Sequence, residues 1–249
     1  MNPQALKDKV AVVTGGSSGI GAACVRLLAA EGARVVVCYH RGRNRAEELI
    51  ARLPGVGHAA LPLALDDVAS HGEFADHVSR AMGRADVLVN SAGCTTRIAH
   101  ADLKRMDGLL FNQILTANAG GPFSVTRALL PLLRDSCDGL VVNISSVSAF
   151  TGSGSNVAYC AAKAALDTLT IALARAFGPQ VRFLSVSPAS VDTGFVEGRS
   201  REELAEKAAK TPLGRIVTPE DVARAVLACA THLRTATGTR IVIDGGHTL

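Results

Sequence analysis

The stretch that decides the fold is Lys9-Val10-Ala11-Val12-Val13-Thr14-Gly15-Gly16-Ser17-Ser18-Gly19-Ile20-Gly21. Its first part carries no charge after Lys9 and is rich in valine, which is typical of a strand buried on both faces. A glycine-rich turn follows at once. Residues 22–31 then place alanine and leucine at helical spacing until Gly32, which favours a helix that ends there. The stretch therefore predicts a strand, a glycine turn and a helix in succession.

A glycine turn that opens a helix is a common phosphate site, because the amino end of a helix offers unpaired N–H groups and a positive partial charge. The spacing here is Gly-x-x-x-Gly-x-Gly, which differs from the Gly-x-Gly-x-x-Gly of longer dinucleotide enzymes. No Gly-Lys-Ser/Thr follows, which excludes a nucleotide triphosphate loop. The alternative is a plain structural turn. As a dinucleotide site, the turn would contact the pyrophosphate through Gly15, Ser17, Ser18, Gly19, Ile20 and Gly21.

The composition favours one domain. The chain has 249 residues, which suits a single doubly wound sheet, and no linker, repeat or low-complexity tract divides it. Its net charge of +4 is mild and most arginines are dispersed, so no nucleic-acid partner is expected. The six cysteines lack metal-ligand spacing, so we expect reduced thiols and no metal site. Neither a signal peptide nor an apolar run of membrane-spanning length is recognised, which predicts a cytoplasmic domain over residues 1–249 without a membrane partner.

Strand-like and helix-like segments alternate to the end of the chain. This alternation predicts an α/β fold with a single Rossmann-type, doubly wound parallel sheet of about seven strands and helices on both faces. After the first, strands are predicted at residues 34–39, 59–65, 86–90, 140–145, 181–187 and 240–243. Helices are predicted at 44–53, 71–82, 157–177, 200–210 and 219–231, with two more within 102–133 that meet near Asn118. Because ligands bind at the carboxyl ends of such strands, one rim should unite residues 14–21, 90–94, 145–152 and 187–195.

The end of the second strand indicates which dinucleotide binds. In dinucleotide folds an acid there holds the ribose 2'-hydroxyl of NAD, whereas an arginine suits the 2'-phosphate of NADP. The chain has Tyr39, His40 and Arg41 at this place and no carboxylate. Arg41 can make a charge-assisted contact with that phosphate, so NADP(H) is favoured over NAD(H). The alternative is a solvated loop arginine that contributes little.

Tyr159 and Lys163 form the clearest candidate reacting pair. They lie four residues apart on a predicted helix, so both project from one face. A phenol with a pKa near 10 needs a drop of roughly 3 units to exchange a proton near pH 7, and Lys163 with a positively charged nicotinamide ring would supply it. Ser146 ends the fifth strand, where its hydroxyl would orient a substrate carbonyl, and Asn118 lies between two helices. Each residue alone has an ordinary alternative, such as packing or helix capping.

Together these motifs resemble the short-chain dehydrogenase/reductase family, over nearly the whole chain and in the family's order. Residues 14–21 match its cofactor motif. The resemblance implies an NAD(P)-dependent oxidoreductase, similar to 3-oxoacyl-[acyl-carrier-protein] reductases, that moves a hydride between nicotinamide and a small-molecule carbonyl or secondary alcohol. It implies that Tyr159 exchanges the proton, Ser146 holds the substrate oxygen, and Lys163 binds the nicotinamide ribose and lowers the tyrosine pKa. Asn118 is implied to hold a water in the proton relay.

Departures from the family concern the loops near the nicotinamide. The family's Asn-Asn-Ala-Gly has Ser91 as its second residue here, its Pro-Gly after the sixth strand is Pro188-Ala189, and its asparagine in that strand is Leu184. These changes bear on the shape of the nicotinamide loop rather than on the chemistry. Ser18 stands where some NADP-preferring members carry a base, which leaves Arg41 alone to favour NADP. Further cofactor contacts are expected from Asp67 (favoured over Asp66), Val68, Asn90, Ala92, Gly93, Tyr159, Lys163, Pro188, Ala189, Val191 and Thr193.

Substrate specificity is expected in residues 94–100, 147–157 and 189–212, the last of which resembles a mobile lid. The net charge of the lid is unremarkable and demands neither a large anionic nor a steroid-like substrate.

Two other functions stay open: an epimerase or dehydratase that uses partial oxidation, and a catalytically silent cofactor-binding regulator. The resemblance also implies a homo-oligomer, a dimer or homotetramer, paired through long helices near 103–135 and 157–177.

Overall fold

The computed structural model describes residues 4–249, so residues 1–3 of the predicted domain lie outside the described residues. Its strands are β1 (Val10–Thr14), β2 (Arg34–Tyr39), β3 (Ala59–Pro62), β4 (Val87–Asn90), β5 (Gly139–Ile144), β6 (Val181–Pro188) and β7 (Thr239–Ile243). They form one seven-stranded, all-parallel sheet in the order β3-β2-β1-β4-β5-β6-β7. The predicted Rossmann-type parallel sheet is confirmed. The order reverses between β1 and β4, which is where sheets of this kind bind ligands.

Helices connect the strands. They are α1 (Gly19–Ala30), α2 (Arg43–Ile50), α3 (His71–Met82), α4 (Gly108–Leu115), α5 (Gly121–Asp135), α6 (Ser148–Thr151), α7 (Val157–Phe177), α8 (Arg201–Ala209) and α9 (Pro219–Thr231). A 3₁₀ turn (Val68–Ser70) precedes α3, and a π-helical segment (Thr116–Gly120) joins α4 to α5. The helices thus follow the predicted alternation closely.

Both faces of the sheet are buried at its central strands, which explains the continuous valine run of β1. Val12 packs with Phe74 of α3 and Leu129 of α5, whereas Val13 belongs to the cluster with Leu28 of α1 and with α9. Neighbouring strand residues point to opposite faces, so an uninterrupted apolar strand needs a helical layer on each side. Full burial of side chains this size contributes roughly 1.5–3 kcal/mol each.

The structure differs from the sequence-based prediction at three places besides α2, which ends at Ile50 rather than at residue 53. β3 ends at Pro62 rather than at residue 65; it is an edge strand, where proline is tolerated. α4 begins at Gly108 rather than near residue 102, because the Asp107 side chain caps it by accepting a 2.8 Å hydrogen bond from the Leu110 N–H. The two helices do not break at Asn118 but continue through the π-helical segment.

α7 is the one helix within residues 4–249 that is long and apolar enough to cross a membrane, judged by length and composition alone. Its most apolar window has a mean hydropathy of 1.4, so the expectation that no apolar run approaches such a length is wrong. The same composition suits a core helix. α7 packs against β6 and buries Leu166, Thr170 and Ala174.

An ion pair joins β7 to α7. Arg240 Nε lies 2.9 Å from Asp167 Oδ2, and the Asp167 side chain is 7% exposed. Arg240→Gln would leave this buried carboxylate without its cation, so we expect urea denaturation to show a free energy of unfolding lower by about 2 kcal/mol. Arg224→Gln, which breaks an exposed pair with Asp221, should cost less than about 1 kcal/mol. Equal losses in the two variants would contradict a stabilising role for the buried pair.

Candidate active site

The carboxyl ends of the strands open into a cleft of about 1500 Å³. All four predicted rim stretches contribute to its lining. Asp67, Val68, Asn90 and Asn118 lie outside this lining, although each belongs to a segment next to it. The predicted site residues that line the cleft are Gly15, Ser17, Ser18, Gly19, Ile20, Gly21, Tyr39, His40, Arg41, Ala92, Gly93, Ser146, Tyr159, Lys163, Pro188, Ala189, Val191 and Thr193.

The glycine turn leaves the amino end of α1 open toward the cleft. Ser18 precedes the helix in extended backbone, and its hydroxyl makes no capping hydrogen bond. The first N–H groups of α1 are therefore left for another acceptor. A Cβ at Gly21 would overlap the carbonyl oxygen of Gly15, so the turn can fold back on the helix only with glycine there. This arrangement suits an anionic group such as a pyrophosphate.

Buried polar contacts fix the loop after β4 beside the turn. The Thr14 hydroxyl accepts hydrogen bonds of 3.0 Å from the N–H groups of Ser91 and Ala92. Asn90 is buried below the loop, where its Nδ2 donates to Asn143 Oδ1 of β5 at 2.8 Å. Asn90 therefore stabilises the sheet under the cleft.

Two arginines line the far end of the cleft, beyond β2. Arg41 stands where it was predicted, and Arg45 of α2 joins it. A Cβ built on Gly42 would lie 2.9 Å from Arg45 Nη2 and 2.7 Å from Ser17 Oγ, which locates the Arg45 guanidinium beside the glycine turn. Within residues 4–249, neither Arg41 nor Arg45 forms an ion pair. After β3 the lining residue is Asp66 rather than Asp67.

Tyr159 and Lys163 face the centre of the cleft from the first turns of α7. The Lys163 ammonium is 5.5 Å from the centre of the Tyr159 ring and donates a 2.8 Å hydrogen bond to the Ile144 carbonyl. Asn156 caps α7 by accepting a 2.8 Å hydrogen bond from the Tyr159 N–H, which fixes the start of the helix. Ser146, just after the end of β5, also lines the cleft, and its hydroxyl donates a 3.1 Å hydrogen bond to Ser148 Oγ. The predicted Ser-Tyr-Lys group is thus brought together.

Asn118 lies fully buried in the π-helical segment. Its Nδ2 donates to the carbonyls of Cys94 at 2.7 Å and Ile114 at 2.9 Å. Its Oδ1 has no partner within residues 4–249, and a Cβ at Gly93 would overlap it. Glycine at 93 therefore leaves the small space that this amide oxygen needs, and a buried acceptor of this kind suits an ordered water.

Comparisons with known proteins agree with this geometry. The family model described as "Enoyl-(Acyl carrier protein) reductase" matches residues 15–248. A protein named as ketoacyl reductase 2 of the granaticin polyketide synthase, from Streptomyces violaceoruber, is 37% identical over 99% of this chain and 98% of its own. The chain belongs to the short-chain dehydrogenase/reductase family. It is accordingly an oxidoreductase, of a family that binds NAD(P).

Other short-chain dehydrogenase/reductases are similar over their whole length. Cis-4-hydroxycyclohexanecarboxylate dehydrogenase of Sinomonas cyclohexanicum is 32% identical over 98% of each chain. A crystal structure of a short-chain dehydrogenase/reductase, glucose/ribitol dehydrogenase, from Brucella melitensis superposes with a TM-score of 0.91, at 25% identity over 100% of both chains. The shared architecture therefore extends from the glycine turn to β7.

The electrostatics of the reacting pair in the protein alone do not favour proton transfer at neutral pH. Burial raises the pKa of Tyr159 to about 12, although the neighbouring Ser146 hydroxyl and the charge of Arg199 act in the opposite sense. Burial lowers the pKa of Lys163 to about 8, and Asp167 opposes that change. The drop expected at Tyr159 therefore requires positive charge beyond that of the protein alone.

Several lining residues were missed from the sequence. The sequence could have indicated Arg45, because it lies in the Arg41-x-Arg43-x-Arg45 cluster that follows the second strand. Arg97 lies in the predicted specificity segment 94–100, and Arg199 and Lys207 lie in 189–212, but no pattern in the sequence joins the three. They are a feature of the tertiary structure only.

Proposed function

We propose that this protein is an NADP(H)-dependent oxidoreductase that interconverts a small-molecule carbonyl and its secondary alcohol. The observation that carries the proposal is the juxtaposition of Ser146, Tyr159 and Lys163 in a cleft that begins at the glycine turn. When bound, the dinucleotide supplies or accepts the hydride. The protein then has to hold the substrate oxygen and exchange one proton with it.

Each group in the site has a role that its surroundings support. Tyr159 donates its phenolic proton to the carbonyl oxygen during reduction and takes it back during oxidation. Ser146 holds the same oxygen through its hydroxyl. Lys163 is anchored on the Ile144 carbonyl, so its remaining N–H groups are free to bind the ribose and to stabilise the phenolate. Asn118 would hold a relay water with its unpartnered Oδ1.

The residues of the cleft fit NADP(H) better than NAD(H). The open amino end of α1 suits the pyrophosphate, and the loop from Pro188 to Thr193 would hold the carboxamide. At the adenosine end, Arg41 and Arg45, which form no ion pair within the described residues, line the cleft where a 2'-phosphate would lie, and the chain has no acid at the end of β2. Arg45 thus adds a second cation to the one expected from the sequence.

Titration with NADPH and NADH tests this assignment. We expect NADPH to bind at least about tenfold more tightly, and the variant Arg41→Gln with Arg45→Gln to lose that preference while its NADH affinity is unchanged. Arg43→Gln is a matched control, because Arg43 pairs with Glu47 at 2.8 Å and lies outside the cleft lining. Preference for NADH would overturn the role of both arginines, and binding of neither dinucleotide would overturn the proposed function.

A carbonyl panel with the preferred dinucleotide then tests the reaction. The names of the relatives suggest two starting substrates, a 3-oxoacyl thioester and 4-oxocyclohexanecarboxylate. Oxidation of the dinucleotide with formation of an alcohol supports the proposal, whereas a product of unchanged redox state would favour an epimerase or dehydratase.

We further propose a single domain over residues 1–249 with residues 189–212 as its lid, assembly into a dimer or tetramer, and a cytoplasmic location.

A further inference from the structure

A cluster of three basic side chains lines the cleft beside the lid. The cluster consists of Arg97 from the loop after β4, Arg199 just before α8, and Lys207 on α8. Burial and the charge of Arg97 lower the pKa of the half-buried Arg199. Burial and the charges of Arg199 and Arg97 lower the pKa of Lys207. Glu203, which pairs with Arg97 at 3.2 Å, lies one helical turn before Lys207 on α8, so Arg97 and Lys207 face the same region of the cleft.

The charge of this cluster is only partly neutralised. Arg97 Nη1 lies 3.2 Å from both carboxylate oxygens of Glu203. In the described part of the chain, no carboxylate forms an ion pair with Arg199 or Lys207. Among the described lining residues the one acid is Asp66, which follows β3. The charge of Glu203 also raises the pKa of Arg199 and of Lys207 and so offsets part of the charge. One carboxylate against three cations leaves a net positive charge, and an anionic ligand would offset the cost of holding the three together.

The cluster lies next to the reacting group. The Phe195 ring packs on the Tyr159 ring, with 6.0 Å between ring centres, and Arg199 follows four residues later. The charge of Arg199 also lowers the pKa of Tyr159 against the larger effect of burial. An anion bound to the cluster would thus be part of the same small molecule whose carbonyl oxygen contacts the Tyr159 phenol.

We propose that Arg97, Arg199 and Lys207 bind an ionised carboxylate of the substrate, which makes the substrate an oxo or hydroxy acid. This inference rests on the proposed function. The anionic oxygen could also come from the phosphate of a phosphopantetheine thioester, but the pantetheine chain separates that phosphate from the reacting carbonyl. A cluster beside the phenol therefore favours the small acid. The charge of the lid alone is unremarkable, and Arg97 adds a cation to it from another segment.

Binding of a matched ligand pair tests the proposal without turnover. Cyclohexanecarboxylate and the neutral cyclohexanecarboxamide have the same ring and nearly the same shape, and each is titrated calorimetrically into the full-length protein, with and without NADPH. We expect the carboxylate to bind at least about tenfold more tightly, and Arg199→Gln and Lys207→Gln together to abolish that difference. Arg201→Gln is the matched control, since Arg201 carries the same charge on the same segment but lies outside the cleft lining. It should change the preference by less than about twofold.

The outcomes separate this proposal from the proposed function. Equal affinity for the two ligands, binding of neither, or a preference that survives the double substitution would overturn the carboxylate site. Tighter binding of 3-oxobutanoyl phosphopantetheine than of its N-acetylcysteamine thioester, without a carboxylate preference, would also overturn it and assign the anion to a carrier arm. Failure to bind either dinucleotide would overturn the oxidoreductase function, whereas the titration without NADPH would still report on the three cations.

Discussion

Replacement of Tyr159 by phenylalanine should lower kcat for carbonyl reduction by about a thousandfold. The substitution removes one oxygen and keeps the ring that packs on Phe195 and lies 5.5 Å from the Lys163 ammonium. Without the phenol, the substrate oxygen has no acid of suitable position, and water must supply the proton. NADPH affinity and the midpoint of thermal unfolding should stay within error of the wild type, because packing of the ring is retained.

The pH dependence of alcohol oxidation gives an independent check on this tyrosine. Oxidation needs the phenolate, so kcat/KM should rise with pH as Tyr159 loses its proton. In the protein alone, burial raises the pKa of Tyr159 to about 12. An apparent pKa clearly below this value in the complex with NADP⁺ would show that the bound complex supplies the missing positive charge. A variant with phenylalanine at 159 that keeps the rising limb, or that keeps near wild-type kcat, would exclude Tyr159 as the proton donor.

The parts of the fold that were predictable are those fixed by local sequence. The valine run of β1 predicts a doubly covered strand because each of its side chains needs an apolar neighbour, and both neighbouring layers are present. The bounds of α7, Val157–Phe177, agree with the prediction because apolar spacing and the Asn156 cap act together. The grouping of Ser146, Tyr159 and Lys163 followed from motif spacing and from the rule that parallel strands end at one edge.

The rest depends on contacts between distant segments. The π-helical segment around Asn118 changes the helical register by one residue, and the apolar spacing of residues 102–133 carries no sign of it. Asp66 rather than Asp67 lines the cleft, and β3 ends at Pro62, three residues earlier than predicted, so counting along the strand pattern does not place the loop. The Arg97 and Glu203 pair joins residues 106 positions apart, so only tertiary structure reveals that Arg97 joins Arg199 and Lys207 as the third cation of the cluster.

Gly21→Ala should weaken NADPH binding by about a hundredfold, the second largest effect we expect. A Cβ at this position would overlap the carbonyl oxygen of Gly15 and lie 3.1 Å from the Cα of Gly16, both of which are backbone atoms. Backbone has less freedom to yield than a flexible side chain, so the glycine turn must move away from α1. That movement takes the turn's N–H groups away from the pyrophosphate, and overpacking should also lower the free energy of unfolding by roughly 1–3 kcal/mol.

Two further glycines provide comparison variants for this prediction. Gly72, on α3, has nothing within 4 Å of its ideal Cβ, so Gly72→Ala should leave NADPH affinity unchanged and stabilise the fold by up to about 1 kcal/mol. Gly19 has a φ of +51° but only an ordinary contact of 3.4 Å with Thr193, so Gly19→Ala should cause an intermediate loss through backbone strain. NADPH titration and urea denaturation of the three variants give the order of the effects. Wild-type NADPH affinity in folded Gly21→Ala would show that the turn does not hold the pyrophosphate, because a bound dinucleotide there cannot tolerate a displaced backbone.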